Sequence, residues 1–377
     1  MLRYLTAGES HGRVLLGILD GMPAGVPLRS RDLLPRMRRR RVAAGRGPRM
    51  RLEEDRPEIV AGVLRGRTTG APLGILLPNR SDRSGRPAPP RTVPRPGHAD
   101  LAGAFKYGTA DVTPVLERAS ARETAIRTAL GAAACRMLEL LGIHLVAHVI
   151  ALGDVEAPGR GMPGTEPGEL ARRRDRSPVA CLDPAAGREM AARIEEARAR
   201  GETLGGRVEL VVSGLPRGLG SFVQHDRRLD ARLAAEVLSI PSVREVEVGE
   251  ALLQARLPGG EAQDPVEVDE EGRIRRPRNR AGGLEGGVTN GEPLVLRAGI
   301  KPLPTRRRPL PTVDLATGRP APGRPVRADV TQVAAVPPIV EALAGIVLAG
   351  ALLERYGGDR FDEIARRVTE DRERRLP

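Results

Sequence analysis

The chain carries the same two motifs, in the same order, in its first and second halves. Residues 21–25 (GMPAG) resemble residues 214–218 (GLPRG), and residues 68–73 (TTGAPL) resemble residues 289–294 (TNGEPL). In each half the first motif follows an apolar run and precedes a helix-like stretch, and the second motif leads into another apolar run. The repeat is about half the chain long, far longer than the repeat of a solenoid. The sequence therefore predicts a duplicated unit.

The two predicted halves cover approximately residues 8–145 and 205–358 and share the order strand, helix, strands, helix. The corresponding first strands, first helices and last helices are residues 14–19 and 208–212, 30–40 and 227–239, and 121–141 and 339–356. Both last helices are apolar on several faces, which is typical of a helix buried between layers. With 377 residues, 40% of them hydrophobic, the chain can bury one large core. We therefore expect layered sheets and helices around one core.

The chain is strongly basic, with a formal net charge of +13. Such a charge favours anionic partners, either nucleic acid or a polyanionic metabolite. Nearly all of the basic residues are arginine, and only Lys106 and Lys301 are lysine. Lysine is a compact point charge whereas arginine is a planar fork, so we infer that these two positions require lysine. The alternative is that both lysines are incidental in an arginine-biased composition.

The sequence carries no signal for export or membrane insertion. We expect no stretch that approaches the roughly 20 apolar residues of a membrane span, and the first residues lack the apolar region of a signal peptide. Cys135 and Cys181 are too few for a disulfide framework, so we interpret them as buried or incidental thiols in a reducing compartment. These features predict a cytoplasmic protein with no membrane partner.

Three segments interrupt the repeated pattern. Residues 79–97 and 301–327 are rich in proline and arginine, and residues 158–178 are rich in glycine, proline and arginine. Long loops in a compact enzyme are usually functional or mobile, so we expect the first two to cover a site, while the third indicates no chemistry. Residues 159–164 match G-x-G-x-x-G, but Pro163 interrupts the motif and no helix pattern follows it. We therefore expect no dinucleotide fold at this motif.

Two of the five histidines lie in polar, glycine-containing motifs. His11 lies in GESHG (residues 8–12) and His98 in RPGHAD (residues 95–100). Because histidine titrates near working pH, each is a candidate acid or base. His144 and His148 are spaced i, i+4, but their strand-like run lacks a nearby acidic residue, so we expect no metal site. The role of His225 is left open.

A run of arginines follows the first predicted helix, from residue 38 to 41, with Arg46 and Arg49 beyond it. The guanidinium fork suits carboxylate and phosphate, so we expect Arg40 and Arg46 to bind a ligand and the others to lie at the surface. Ser120 and Glu123 have the spacing of a capping box at the start of the long helix. The start of that helix is also a suitable anion site.

Four motifs occur together in the order and spacing of one enzyme family, namely residues 8–12, 95–100, 120–124 (SARET) and 281–287 (AGGLEGG). From residue 8 to about residue 358, the chain resembles the chorismate synthases. The resemblance implies an α+β fold, a single-domain β-α-β-α sandwich over residues 1–377, and a homotetramer. It also implies the last step of the shikimate pathway, in which reduced FMN supports conversion of 5-enolpyruvylshikimate 3-phosphate to chorismate and phosphate without net redox change.

The resemblance also implies a role for each matching residue. His11 would protonate the departing phosphate, His98 would lie by flavin N1, and Asp329 would lie near flavin N5 and help to remove the substrate proton. The residues that would bind the substrate anions are Arg40, Arg46 and Arg122. The residues that would bind FMN are Arg118, Ala119, Ser120, Gly286, Lys301, Pro302, Leu303, Pro304, Thr305 and Arg327. The chain departs from the family pattern at Ala328 and at Pro241 and Ser242.

The sequence leaves the source of reduced flavin open. It carries no nicotinamide fingerprint, so we expect an external flavin reductase or reduced flavin from solution, with NADPH at most an indirect reductant. One alternative function is a basic nucleic-acid-binding protein, although aromatic residues make up only 2% of the chain and the arginines form no recognised binding motif. A second alternative is a phosphate lyase that uses the same arginines and histidines without flavin.

Overall fold

Two antiparallel sheets lie on either side of a layer of helices. The computed structural model describes residues 2–47, 53–83, 85, 88–157, 165–270, 272–325 and 329–374. The strands are β1 Arg3–Ala7, β2 Val14–Asp20, β3 Glu58–Ala61, β4 Val63–Leu64, β5 Arg67–Thr68, β6 Leu73–Pro78, β7 His144–Leu152, β8 Val155–Glu156, β9 Gly206–Ser213, β10 Val243–Val248, β11 Glu267–Val268, β12 Ile274–Arg275, β13 Leu284–Glu285, β14 Val288–Thr289, β15 Leu294–Ile300, β16 Thr312–Asp314 and β17 Arg319–Ala321. The α-helices are α1 Ser30–Val42, α2 Asp100–Tyr107, α3 Thr113–Arg118, α4 Thr124–Leu140, α5 Pro167–Arg176, α6 Pro184–Arg200, α7 Leu229–Leu238, α8 Ala251–Gln254, α9 Gly259–Ala262, α10 Pro337–Tyr356 and α11 Phe361–Glu373.

The two sheets share one strand order. The first sheet is β1-β2-β6-β3 and the second is β10-β15-β9-β7-β8. When the four longest strands of each sheet are numbered along the chain, both sheets read 1-2-4-3. A matching helix follows the second strand (α1 and α7), and a long helix of the central layer comes after the fourth (α4 and α10). We base the proposal of a duplicated unit on this match. The matching elements begin at β1 and β7. The predicted first half, residues 8–145, begins after β1 and ends inside β7, and the predicted second half, residues 205–358, begins after β7.

The central layer is built on close approach between α4 and α10. A Cβ atom added to Gly131 of α4 would lie 2.2 Å from the carbonyl oxygen of Ala342 in α10, so only glycine allows this crossing. On the other side, α4 packs on β2 and β6, where a Cβ at Gly17 would lie 2.7 Å from the Leu130 side chain. Because interiors are close-packed, these glycines set the distances between the layers.

The remaining helices complete the layered arrangement. Helix α10 packs on β7 and β9, and helices α5 and α6 pack against β7 and β8. The order is thus sheet, helices, sheet and helices, which confirms the predicted α+β, β-α-β-α architecture. Leu, Val, Ile and Ala fill the core, and both Cys135 and Cys181 are buried free thiols, as expected.

Two sequence expectations about individual segments are wrong. Helix α10 has the length and hydropathy of a membrane span, although most of its residues are buried in the core. Residues 158–178, predicted as a loop, contain helix α5, and its Arg174 is buried. The G-x-G-x-x-G match at residues 159–164 lies outside the described residues.

Candidate active site

His11 lies in the turn between β1 and β2, where a carboxylate holds its ring. The Glu117 side chain, near the end of α3, accepts a hydrogen bond from the backbone N–H of His11 at 2.8 Å. The same carboxylate lies 2.9 Å from His11 Nδ1. This contact occupies Nδ1 and fixes the ring, which leaves Nε2 as the nitrogen for a ligand.

The ring of His98 is also held through Nδ1 by a carboxylate, in this case that of Asp100. Its Nδ1 lies 2.5 Å from Oδ1 of Asp100, the first residue of α2. The Arg95 guanidinium donates to both oxygens of Asp100, at 2.8 and 2.9 Å. Burial opposes ionisation of Asp100, but the hydrogen bonds from Arg95 and His98 outweigh it and hold the pKa of Asp100 well below its usual range. Asp100 is therefore a fixed anion that orients both His98 and Arg95.

The predicted substrate arginines Arg40 and Arg122 are both buried, at 2% and 4% exposure. Arg40 donates to Thr124 Oγ1 and to the carbonyl oxygen of Ala121, at the start of the long helix. Burial lowers the pKa of Arg40 to about 10, with Asp55 opposing this and the charges of Arg46 and Arg122 adding to it. Arg40 thus stays charged at neutral pH in a site shielded from water.

Arg46 and Asp329, predicted for different roles, bind each other. Arg46 Nη1 donates to Asp329 Oδ2 at 2.6 Å, and the backbone N–H of Gly47 donates to Oδ1 at 2.6 Å. Within the described part of the chain, Arg46 Nε is buried and has no hydrogen-bond partner. Arg40 and Arg46 line a small cavity together with Gln332. The cavity has a volume of about 10 Å³, room for one water-sized group. A buried donor without a partner is costly, so Arg46 Nε suits a single acceptor atom.

The predicted flavin residues 301–305 lie against the His98 turn. Lys301 Nζ donates to the carbonyl oxygen of Gly97 at 2.8 Å. A Cβ atom at Gly97 would lie 3.5 Å from Pro304. The Thr203 hydroxyl donates a hydrogen bond to the carbonyl oxygen of Leu303 in this run. The backbone N–H of the next residue, Leu204, donates to the carbonyl oxygen of Val330, the neighbour of Asp329. Residues 301–305 therefore contact the His98 turn directly, and Thr203 and Leu204 lie between them and the neighbour of Asp329.

The predicted flavin residues Arg118, Ala119 and Ser120 lie beside His11. Arg118 donates to the carbonyl oxygens of Thr6 and Gly8. Ser120 Oγ lies 3.1 Å from Ser10 Oγ and accepts from the backbone N–H of Arg122, so it caps a 3₁₀ turn at Ala121–Glu123. The predicted capping box with Glu123 is not formed, because helix α4 begins only at Thr124.

Gly286 lies apart from the other predicted site residues. It belongs to the β13–β14 hairpin, which precedes the Leu294 end of β15, whereas Lys301 follows the Ile300 end. A strand rises about 3.4 Å per residue, so the two ends of β15 are roughly 20 Å apart. Gly286 and Lys301 of the same chain are therefore not close to each other. Arg327 and Ala328 lie outside the described residues.

The comparisons with known proteins agree along the whole chain. A family model described as chorismate synthase matches residues 2–353. The chorismate synthase of Moorella thermoacetica is 50% identical over 378 residues, covering 98% of this chain and 97% of its own. The chain belongs to the chorismate synthase family. The Thermus thermophilus chorismate synthase is 48% identical with 99% of both chains covered, and a crystal structure of a chorismate synthase matches with a TM-score of 0.80, at 33% identity, over 98% of this chain and 96% of its own.

A chorismate synthase implies a flavin, and the residues beside His98 fit one. A cavity of about 550 Å³ opens there, lined mainly by apolar and proline side chains of residues 94–105 and by Thr312 and Val313. This volume lies within the usual range for cofactor and ligand sites. His98 and Arg95 supply polar groups at its wall. None of the described residues predicted to bind FMN lines this cavity, although Lys301 reaches the carbonyl oxygen of Gly97, which does.

Several polar residues at the site carry no role in the sequence interpretation. Asp100 and Arg95 stand inside the His98 motif, so their position next to a candidate acid or base was a usable signal. Glu117 stands 106 residues from His11 in the chain, and only the fold brings the two together. Asp55 and Asn79 lie in segments without a motif, and only the folded chain brings them to Arg122. These groups orient side chains that the motifs identify.

Two expectations about charged residues are wrong. Arg39, assigned to the surface, donates to the fully buried Glu341 of α10 at 2.9 Å. His148 does have an acidic partner, because Glu209 on the neighbouring strand lies 3.2 Å from its Nε2. The expected absence of a metal site stays a prediction, although the described residues contain no group of three or more candidate metal ligands.

Proposed function

We propose that this chain catalyses the 1,4-elimination of phosphate from 5-enolpyruvylshikimate 3-phosphate to give chorismate, using reduced FMN without net redox change. The observation that carries the proposal is the pair of carboxylate-held histidines, His11 on Glu117 and His98 on Asp100, in a member of this family. The substrate bears a phosphate and two carboxylates, and buried arginines suit such anions. The reaction belongs to the biosynthesis of aromatic amino acids.

In this proposal His11 donates a proton to the departing phosphate. Glu117 holds Nδ1, so a proton on Nε2 is directed at the ligand, and the carboxylate stabilises the charged ring. Arg40 and Arg46 bind substrate anions in this proposal, because they lie close together and Arg46 Nε has no hydrogen-bond partner among the described residues. This preorganised set of donors binds charge without reorienting solvent.

Asp329 would help to remove the substrate proton. In the structure both of its oxygens accept hydrogen bonds, one from Arg46 and one from Gly47. A substrate anion at Arg46 competes with Asp329 for the guanidinium. We therefore expect substrate binding to weaken this ion pair and free the Asp329 carboxylate for the substrate proton.

We propose that His98 and residues 301–305 hold FMN, with Arg118, Ala119 and Ser120 as further contacts. When bound, reduced FMN supplies electron density transiently and recovers it. Asp100 holds the His98 ring through Nδ1, and the Arg95 guanidinium lies 3.1 Å from Nε2. The family expectations of a homotetramer, a cytoplasmic location and an external source of reduced flavin, with NADPH at most an indirect reductant, belong to the same proposal.

An anaerobic assay tests the function. Protein, dithionite-reduced FMN and 5-enolpyruvylshikimate 3-phosphate are mixed, and chorismate is followed by its absorbance. We expect product only with reduced flavin, and a fall in turnover of roughly 10²–10⁴-fold for His11→Ala and for His98→Ala in folded protein. No product at any FMN concentration refutes the proposal, and product without flavin establishes the flavin-independent lyase instead.

A further inference from the structure

Asp55 joins two of the arginines assigned to the substrate. Its Oδ2 accepts from Arg40 Nη1 at 3.0 Å, and its Oδ1 accepts from Arg122 Nη1. The residue is 3% exposed. Burial opposes ionisation, but Arg40 and Arg122 outweigh it and hold the pKa of Asp55 below its usual range. One buried anion therefore fixes one guanidinium group on each of its oxygens.

The second arginine extends this contact to the His11 turn. Arg122 Nε donates to Asn79 Oδ1 at 2.9 Å. The Asn79 amide in turn donates to the carbonyl oxygens of Gly12 and Glu9, on either side of His11, at 2.7 and 3.2 Å. The hydrogen bonds thus run without a break from Arg40 through Asp55, Arg122 and Asn79 to the turn that carries His11.

The charge balance and the backbone conformation at Asp55 indicate that this residue holds its partners in place. Arg122 also pairs with buried Glu53 at 3.3 Å, so the two arginines and the two carboxylates form a neutral quartet. Arg40 lines the small cavity whereas Arg122 is not among its lining residues. Asp55 has a φ of +47°, which is uncommon outside glycine and tends to occur where a local constraint serves a site.

We propose that Asp55 is a positioning residue of the substrate site, and that through Arg122 and Asn79 it sets the orientation of Arg40 relative to His11. This inference rests on the proposed function. Asp55 contacts neither substrate nor flavin in this proposal. It acts on catalysis by holding the anion-binding group and the proton donor in one geometry.

Asp55→Asn separates positioning from simple charge attraction. The variant keeps the size of the side chain but removes one negative charge beside two arginines. The extra positive charge favours substrate anions, so KM should not rise, whereas the loss of orientation should lower kcat by about 10–100-fold. Arg40→Gln removes a binding group and should have the opposite signature, a KM raised at least about tenfold.

The experiment measures anaerobic steady-state kinetics with reduced FMN, and substrate binding by calorimetry with oxidised FMN, for wild type, Asp55→Asn and Arg40→Gln. Glu54→Gln is the matched control, because Glu54 is a neighbouring exposed carboxylate paired with Arg80. We expect wild-type kinetics for Glu54→Gln. A wild-type kcat for Asp55→Asn, or a KM raised as in Arg40→Gln, overturns the proposal. An inactive wild type refutes the proposed function itself.

A second variant covers the case in which Asp55→Asn does not fold. Asp55→Asn combined with Arg122→Gln removes one charge of each sign, so the quartet stays neutral overall with Arg40 and Glu53 as its remaining charges. This double variant still leaves Arg40 without its carboxylate. We expect its kcat to fall by about 10–100-fold with normal FMN affinity. A wild-type kcat in the folded double variant overturns the proposal.

Discussion

Glu341→Gln should destabilise the fold strongly at neutral pH and much less in acid. Glu341 is fully buried in the middle of α10. Its carboxylate accepts from Arg39 at 2.9 Å, from Arg174 at 2.8 Å and from the backbone N–H of Ala147 at 3.0 Å, and Arg36 lies 3.2 Å away. One carboxylate thus ties helices α1 and α5 and strand β7 to the central layer.

The magnitude follows from the pKa of this group. Burial opposes ionisation, but Arg39, Arg36 and Arg174 outweigh it and lower the pKa of Glu341 from 4.5 to about 2. Each pH unit between these values corresponds to about 1.4 kcal/mol, so the ionised form contributes about 3 kcal/mol of folding free energy. Because the folded pKa is depressed, this contribution is present above pH 4.5 and is lost as the pH falls toward 2. By pH 3 about 2 kcal/mol of it is gone.

The assay is urea unfolding at pH 7 and pH 3, at one protein concentration so that any association is held constant. Removing the carboxylate takes a shared partner from the buried Arg36 and Arg174 and from the half-buried Arg39, so we expect Glu341→Gln to cost about 3–5 kcal/mol at pH 7. The gap to wild type should narrow by about 2 kcal/mol at pH 3. Glu354→Gln is the control, since Glu354 lies on the same helix in a surface pair with Arg232 and should cost less than about 1 kcal/mol. A gap that stays constant between the two pH values refutes the reasoning.

Three further predictions concern the site and the central layer. Glu117→Gln should lower kcat by about 10–100-fold with FMN affinity unchanged, because His11 loses its charged partner; an unchanged kcat would remove Glu117 from the mechanism. Lys301→Ala should weaken binding of FMN, followed by flavin fluorescence, whereas Lys106→Ala on the exposed face of α2 should not; equal effects would contradict the placement of flavin beside Lys301. Gly131→Val should cost at least about 1–3 kcal/mol in unfolding experiments, since its Cβ would meet the Ala342 backbone at 2.2 Å. Gly259→Ala, which has open space, is its control, and similar stabilities would refute the close crossing.

The elements that the sequence predicted well are those with local signals. The apolar runs before residues 21 and 214 are strands β2 and β9, and the helix predicted at residues 121–141 is helix α4. These elements could be predicted because hydrophobic periodicity and turn glycines are signals contained within a few neighbouring residues. The histidine motifs likewise identified residues that the fold holds with carboxylates. Helix α5 was missed because a segment rich in glycine, proline and arginine gives no apolar period.

The paired charges could not be predicted in the same way. Glu341 stands in an apolar helical run, and its partners Arg39 and Arg174 come from elements hundreds of residues away. Asp55 and Asn79 carry no motif, and their link to Arg122 depends on strand order and on the start of α4. Such contacts depend on how distant elements are arranged in the fold, which a single sequence constrains only loosely. A motif, in contrast, identifies residues that are neighbours in the sequence.

The location of the charges also changes the meaning of the net charge of +13. The three arginines assigned to the substrate face three carboxylates at the site, with Arg40 and Arg122 against Asp55 and Glu53, and Arg46 against Asp329. The buried site is therefore close to neutral, and the excess positive charge lies elsewhere on the chain. A neutral site cannot select a polyanion by field strength alone. Under the proposed function, selectivity for a polyanion therefore comes from the direction of fixed donors, which the carboxylates among them hold in place.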